Sequence, residues 1–113
     1  MSDCLFCKIV RGEIPSAKVA ETADCLAFRD IGPKAPVHVL VIPKEHFDSL
    51  ETIPDAARVV GAMAALAQQV ARDEGIATTG YRTVMNTGRD GGQTVGHVHL
   101  HLLGGRPLKW PPG

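Results

Sequence analysis

The stretch HVHLHLL, from His97 to Leu103, constrains this chain more than any other. Histidine alternates strictly with valine or leucine, which is the period of a β-strand and not of a helix. His97, His99 and His101 therefore share one face, and Val98, Leu100 and Leu102 share the other. The apolar face has an evident task in packing against a core. The imidazole face does not, because each ring carries a polar N–H that needs a partner. The whole chain holds five histidines. Three of them in register require a job: a metal site, a nucleophile with helpers, or a mixture of the two.

Such a strand needs neighbours. Lys18 to Glu21 and Cys25 to Arg29 read as two short strands joined by Thr22-Ala23-Asp24, hence a hairpin. Asp30 to Pro36 is a loop, since two prolines and a glycine interrupt any ladder. Val37 to Ile42 is strongly β-prone and ends at Pro43. One helix is predicted from near Pro54, with Asp55 suited to its N-terminus and Gly75 as its terminator. Val59, Met63, Leu66 and Val70 give it one apolar face. Ala57, Gly61, Ala64 and Ala65 leave the rest small enough for close approach by a sheet or another helix. Tyr81 to Met85 is a further strand, Asn86 to Gly92 a glycine-rich loop, and Val95 to Leu103 the histidine strand. Strands, a helix, then strands predict an α+β domain with a mostly antiparallel sheet.

The chain of 113 residues suits a single domain spanning 1–113, and an apolar fraction of 44% suits a soluble globular one. Twelve basic residues balance twelve acidic ones, so no nucleic-acid or membrane partner is expected. The N-terminus lacks the apolar core of a signal peptide, and no stretch approaches the roughly 20 apolar residues of a membrane helix. A cytoplasmic location is expected. Cys4, Cys7 and Cys25 make a poor disulfide framework. Cys25, in the apolar run CLAF, reads as core filler.

Cys4-Leu5-Phe6-Cys7 has the spacing that lets two thiolates clamp zinc, and such a site wants two more ligands that histidines can supply. A redox dithiol is the other reading of the pair. A metallohydrolase with zinc on His97, His99 and His101 is a further possibility, since an open three-histidine site can activate water.

The sequence resembles the histidine triad superfamily, in particular its Hint branch of nucleotide-binding proteins. The likeness runs through CLAFRDI (Cys25 to Ile31), APVHVLVIPKEH (Ala35 to His46), the loop from Asn86 to Thr94 with its DGGQT, HVHLHLL, and the GGR and WPPG of the tail. The resemblance implies a five-stranded sheet with one main helix, continued across a homodimer. It implies His99 as nucleophile and a structural zinc on Cys4, Cys7, His46 and His97, which leaves His38, His99 and His101 for the reaction. A backbone carbonyl near His97 would fix the His99 tautomer. His101 and Thr94 would serve the leaving-group side, with His38 orienting His101. Many relatives have serine where this chain has Thr94.

Asp30 matches a ribose-hydroxyl acceptor, and Phe28 and Ile31 match apolar contacts to a purine. On its own, Asp30 also suits a turn-capping role. Asn86 matches a polar residue near the ribose or phosphate, while Gly92, Gln93 and Thr94 match a loop that approaches the phosphoryl oxygens, with Gln93 adding a side-chain donor. Trp110, the only tryptophan, would reach the partner's site, or else fold back on its own subunit. The small-residue face of the helix is a further candidate for the dimer interface. The implied activity is hydrolysis of purine nucleoside 5'-phosphoramidates, releasing AMP or GMP and an amine through a nucleotidyl-histidine. The alternatives are a dinucleoside polyphosphate hydrolase on the same scaffold and a nucleotide-binding interaction module with vestigial catalysis.

Overall fold

The computed structural model describes residues 4–113. Helix α1 (Leu5–Val10) precedes strands β1 (Lys18–Glu21), β2 (Cys25–Arg29) and β3 (Val37–Pro43). A single 3-10 turn at Leu50–Thr52 leads into helix α2 (Ala56–Asp73), followed by β4 (Tyr81–Val84) and β5 (Leu100–Gly104). The five strands form one antiparallel sheet in the order β1-β2-β3-β5-β4. This is the α+β architecture with one main helix that the sequence predicts.

Alternation sorts the central strands onto two faces. Ala27, Val39, Val41, Leu100 and Leu102 pack with Val59, Met63, Leu66, Ala67 and Val70 of α2. Leu26, Phe28, Leu40 and Ile42 point the other way and pack under Phe6 of α1. Both faces are covered, so β2 and β3 read as near-continuous apolar runs. α2 begins where Asp55 accepts a hydrogen bond from the Arg58 amide at 3.2 Å and ends at Gly75, whose φ of 76° suits glycine. Ala57, Gly61, Ala64 and Ala65 point away from the sheet and are exposed; the close approach is made by Ala67 and Ala71. None of the helices among the described residues is long and apolar enough to cross a membrane.

Two features depart from expectation. α1 has no counterpart in the sequence reading; one and a half turns are too short to show a period. It is capped by Cys4, whose Sγ accepts from the Cys7 amide at 3.4 Å. The histidine strand, expected from Val95, enters the ladder only at Leu100, opposite Val41. The cause lies on β3. Pro43 has no N–H to offer, and its carbonyl is taken by the His97 ring, Nε2 to O 2.9 Å. The Val98 amide turns instead to the Phe47 carbonyl, 2.8 Å away. The segment from His97 to His99 is thus held by side-chain and loop bonds rather than by a neighbouring strand.

Candidate functional site

The fold gathers all five histidines into two clusters on the α1 side of the sheet. In the first, α1 supplies Cys4 and Cys7, the loop after β3 supplies His46, and the pre-β5 segment supplies His97. Cys4 Sγ lies 3.3 Å from His97 Nδ1, Cys7 Sγ 3.3 Å from His46 Nδ1 and 3.6 Å from His97 Nδ1. The two Nδ1 atoms are 3.2 Å apart. The far nitrogens decide what these atoms are. His97 Nε2 faces the Pro43 carbonyl, which only accepts, and His46 Nε2 faces Asp48 Oδ1 at 2.8 Å. Each ring therefore carries its proton on Nε2, and both Nδ1 lone pairs converge on the two sulfurs.

Four electron-pair donors facing one point is the arrangement that a cation resolves. The four ligand atoms all lie within 4.8 Å of one another, so the cluster could hold a metal ion. Burial, followed by the neighbouring Cys4, pushes the Cys7 thiol up. Burial likewise pushes His97 down.

The second cluster comprises His99, His101 and His38. His99 Nδ1 lies 2.8 Å from the His97 carbonyl, so Nδ1 donates and Nε2 keeps the lone pair. His38 Nδ1 receives the Lys34 backbone N–H at 3.0 Å. That bond forces the His38 proton onto Nε2, which is 2.9 Å from His101 Nδ1. His101 Nδ1 must then accept, and the His101 proton sits on Nε2. Burial first, then the neighbouring His99 and His38, lower His101 to about 4; burial lowers His38 as well. Both rings are neutral near pH 7, and the His99 and His101 ring centroids are 5.0 Å apart.

Phe6 separates the clusters, its ring meeting those of His97 and His99 edge-on at 5.8 and 5.3 Å. On its other side opens a cavity of about 280 Å³, lined by Phe28, Asp30, Ile31, Thr94, His99 and His101 among others. Six of the residues singled out from sequence thus meet at one cavity. Ile31 is fully exposed at the rim. Asp30 takes the turn role with one oxygen, Oδ1 accepting from the Gly32 amide at 2.7 Å, while Oδ2 stands 3.5 Å from His38 Nε2.

Asn86, Gly92 and Gln93 do not line this cavity. The Gln93 amide is occupied within its loop: Nε2 donates to the Asp48 and Val95 carbonyls at 2.6 and 3.0 Å, and Oε1 accepts from the Gly88 amide. In this arrangement the Gln93 side chain braces the loop. Within that loop Gly91 packs against the Thr87 backbone, where a Cβ would clash with the Thr87 carbonyl. Trp110 is 80% exposed and does not fold back; Arg82 anchors its tail by donating to the Lys109 carbonyl at 2.9 Å.

Sequence reasoning missed Asp48, the Lys34 amide and the Pro43 carbonyl. Asp48 had a signal, standing two residues beyond a candidate ligand histidine. The two backbone groups had none, because any residue carries a carbonyl and almost any an amide.

Residues 11–108 match the family model for the HIT domain. An uncharacterized HIT-like protein of Synechococcus elongatus is 53% identical over 112 residues, 98% of this chain and 97% of that one. The purine nucleoside phosphoramidase of Escherichia coli K12 is 47% identical over 107 residues, covering 94% of this chain and 90% of its own. Among solved structures, a HIT family hydrolase from Legionella pneumophila superposes with a TM-score of 0.95 at 48% identity, covering 98% of this chain and all of its own.

Proposed function

The chain belongs to the HIT domain family, and on that premise we propose that it is a purine nucleoside 5'-phosphoramidase of the zinc-bearing Hint branch. The observation that carries this reading is the tautomer of His99. Its Nδ1–H is spent on the His97 carbonyl, so Nε2 is the nitrogen left to attack a ligand in the cavity that His99 lines. The 47% identity to a purine nucleoside phosphoramidase supports the choice of substrate.

Binding places the purine, as in AMP or GMP, against Phe28 and Ile31, with the ribose hydroxyls toward Asp30. His99 Nε2 attacks the α-phosphorus, and the P–N bond breaks. The departing amine takes a proton from His101 Nε2, and Thr94 lines the same cavity. Water then releases the nucleoside monophosphate from the nucleotidyl-histidine. The Thr94 end of the loop lines the cavity and is the part that offers backbone N–H groups to the phosphoryl oxygens, with Gln93 bracing that loop.

The metal assigned to Cys4, Cys7, His46 and His97 is zinc. Tetrahedral zinc, with bonds of about 2.3 Å to sulfur and about 2.0 Å to nitrogen, separates sulfur from nitrogen by about 3.5 Å and two nitrogens by about 3.3 Å. The distances of 3.2–3.6 Å among the donors fit that figure. When bound, zinc ties α1 to the segment whose carbonyl orients His99. A closed four-ligand site leaves no position for substrate, so its duty is structural.

Trp110 and the tail lie open for a second copy, which supports a homodimer in which the tail reaches the partner's site. A large exposed aromatic on a short tail is the kind of surface an interface covers. We place the enzyme in the cytoplasm, as a single domain.

The test is intact-mass spectrometry of protein mixed briefly with adenosine 5'-phosphoramidate and quenched, on wild type and His99→Gly. One adenylyl adduct on wild type, mapped to His99 and missing from the variant, is the expected result. Turnover and an adduct undiminished in the variant would move the nucleophile elsewhere.

A further inference from the structure

Asp30 has two oxygens with different surroundings. Oδ1 is fixed by the Gly32 amide; Oδ2 stands 3.5 Å from His38 Nε2. The Asp30 amide donates to the His38 carbonyl at 3.0 Å, which pins the residue beside β3. Asp30, His38 and His101 each offer an atom within 4.8 Å of the others. They do not suit a metal, because the Lys34 amide already holds the one lone pair of neutral His38. They do suit a shared proton.

The neutral pair cannot easily lose one. A His101 that gives up its Nε2–H while its Nδ1 is unprotonated becomes an imidazolate. The competent acid is His101 with protons on both nitrogens, taken up when the anionic substrate binds. In that state His101 Nδ1–H and His38 Nε2–H would oppose each other across 2.9 Å. The Lys34 amide prevents His38 from moving its proton to Nδ1. The His38 N–H must therefore turn to another acceptor, and Asp30 Oδ2 is the carboxylate beside it.

We propose that Asp30 is a positioning residue for the acid: its carboxylate receives the His38 N–H, which lets His101 carry the second proton that the departing amine takes. This rests on the phosphoramidase reading for its substrate. The step balances. The His99 Nε2 lone pair forms the N–P bond, the P–N pair leaves with the amine, and that pair takes the His101 Nε2 proton. His101 is left neutral with its proton on Nδ1, so its Nε2 can accept the proton of the water that attacks in the second half. The groups facing His101 are His38 from β3, His99 from the segment before β5 and Asp30 from the loop after β2; Lys34 adds its charge near His38. Asp30 is the one anion among them.

Asp30→Asn keeps an oxygen for the Gly32 amide and replaces the acceptor toward His38 by an amide nitrogen. The measurement compares kcat on adenosine 5'-phosphoramidate with kcat on the 4-nitrophenyl ester of AMP, whose leaving group needs no proton. The ribose is common to both, so lost ribose contact cancels in the ratio. The ratio of amide to ester kcat should fall about tenfold or more in the variant, and equal losses on both substrates would overturn the proposal. In the free proteins, the His101 ring, followed by NMR, should titrate lower in Asp30→Asn than in wild type. An unchanged His101 titration would also overturn it. If wild type cleaves neither substrate the phosphoramidase reading fails, while the NMR comparison still decides whether Asp30 supports protonation of His101.

Discussion

The two histidine clusters of this chain are alike in composition and opposite in chemistry. Each brings imidazoles and acidic or thiol groups to within 4.8 Å, and proximity alone does not tell them apart. What separates them is the partner of the far ring nitrogen. At His46 and His97 that partner is an acceptor, Asp48 or the Pro43 carbonyl, so the near nitrogens turn lone pairs inward. At His38 it is a donor, the Lys34 amide, so the near nitrogen turns a proton toward His101. One backbone N–H in place of a carbonyl turns an inward lone pair into an inward N–H.

The comparison can be sharpened by removing one member at a time. The largest effect belongs to His99→Gly, which should lower kcat on adenosine 5'-phosphoramidate on the order of 10³-fold or more while AMP binding, read by calorimetry, persists. Turnover near wild type would remove His99 from the centre of the account. His38→Ala frees the His101 tautomer and should reduce kcat roughly 10–100-fold. A variant as fast as wild type would show that the second cluster needs no lock.

On the other side, Asp48→Asn weakens the acceptor that keeps the His46 proton on Nε2. Zinc affinity, measured by competition with a chromophoric chelator, should fall about 10-fold, with a far smaller change in kcat than His38→Ala gives. The smallest effect is on acid stability. Burial depresses His38, His97 and His101 in the folded chain, the last to about 4. Below the ordinary histidine value of about 6.5 the unfolded chain therefore binds more protons than the folded one. Stability is full above about pH 6.5 and is lost as pH falls toward about 4; the melting temperature should drop by roughly 5 °C or more over that window. A flat profile would mean the rings are solvated.

Much of this was legible in the sequence, for reasons that differ by element. β1 and β2 follow from the turn between Glu21 and Cys25, and α2 from the spacing of Val59, Met63, Leu66 and Val70, which are long-established signals of local pattern. The shared face of His97, His99 and His101 follows from the backbone alternation alone. What local pattern does not carry is partnership at a distance. The ladder stops short of His99 because of Pro43, far away in sequence. α1 forms because Phe6 and the Cys4 cap find partners elsewhere. Gln93 braces its loop against Asp48, a bond that neither segment announces. The sort of the five histidines into two clusters was implied by family resemblance, whereas their tautomers needed the positions of the Lys34 amide and the Pro43 and His97 carbonyls.

The division of labour between the clusters is tested most directly by metal content. Elemental analysis of purified, zinc-equilibrated protein would compare wild type with Cys7→Ser and His101→Ala. About one zinc per chain in wild type and in His101→Ala, with nearly all of it lost in Cys7→Ser, is the expected outcome. Zinc that stays in Cys7→Ser and leaves with His101→Ala would place the metal in the second cluster and contradict the assignment of every proton described above.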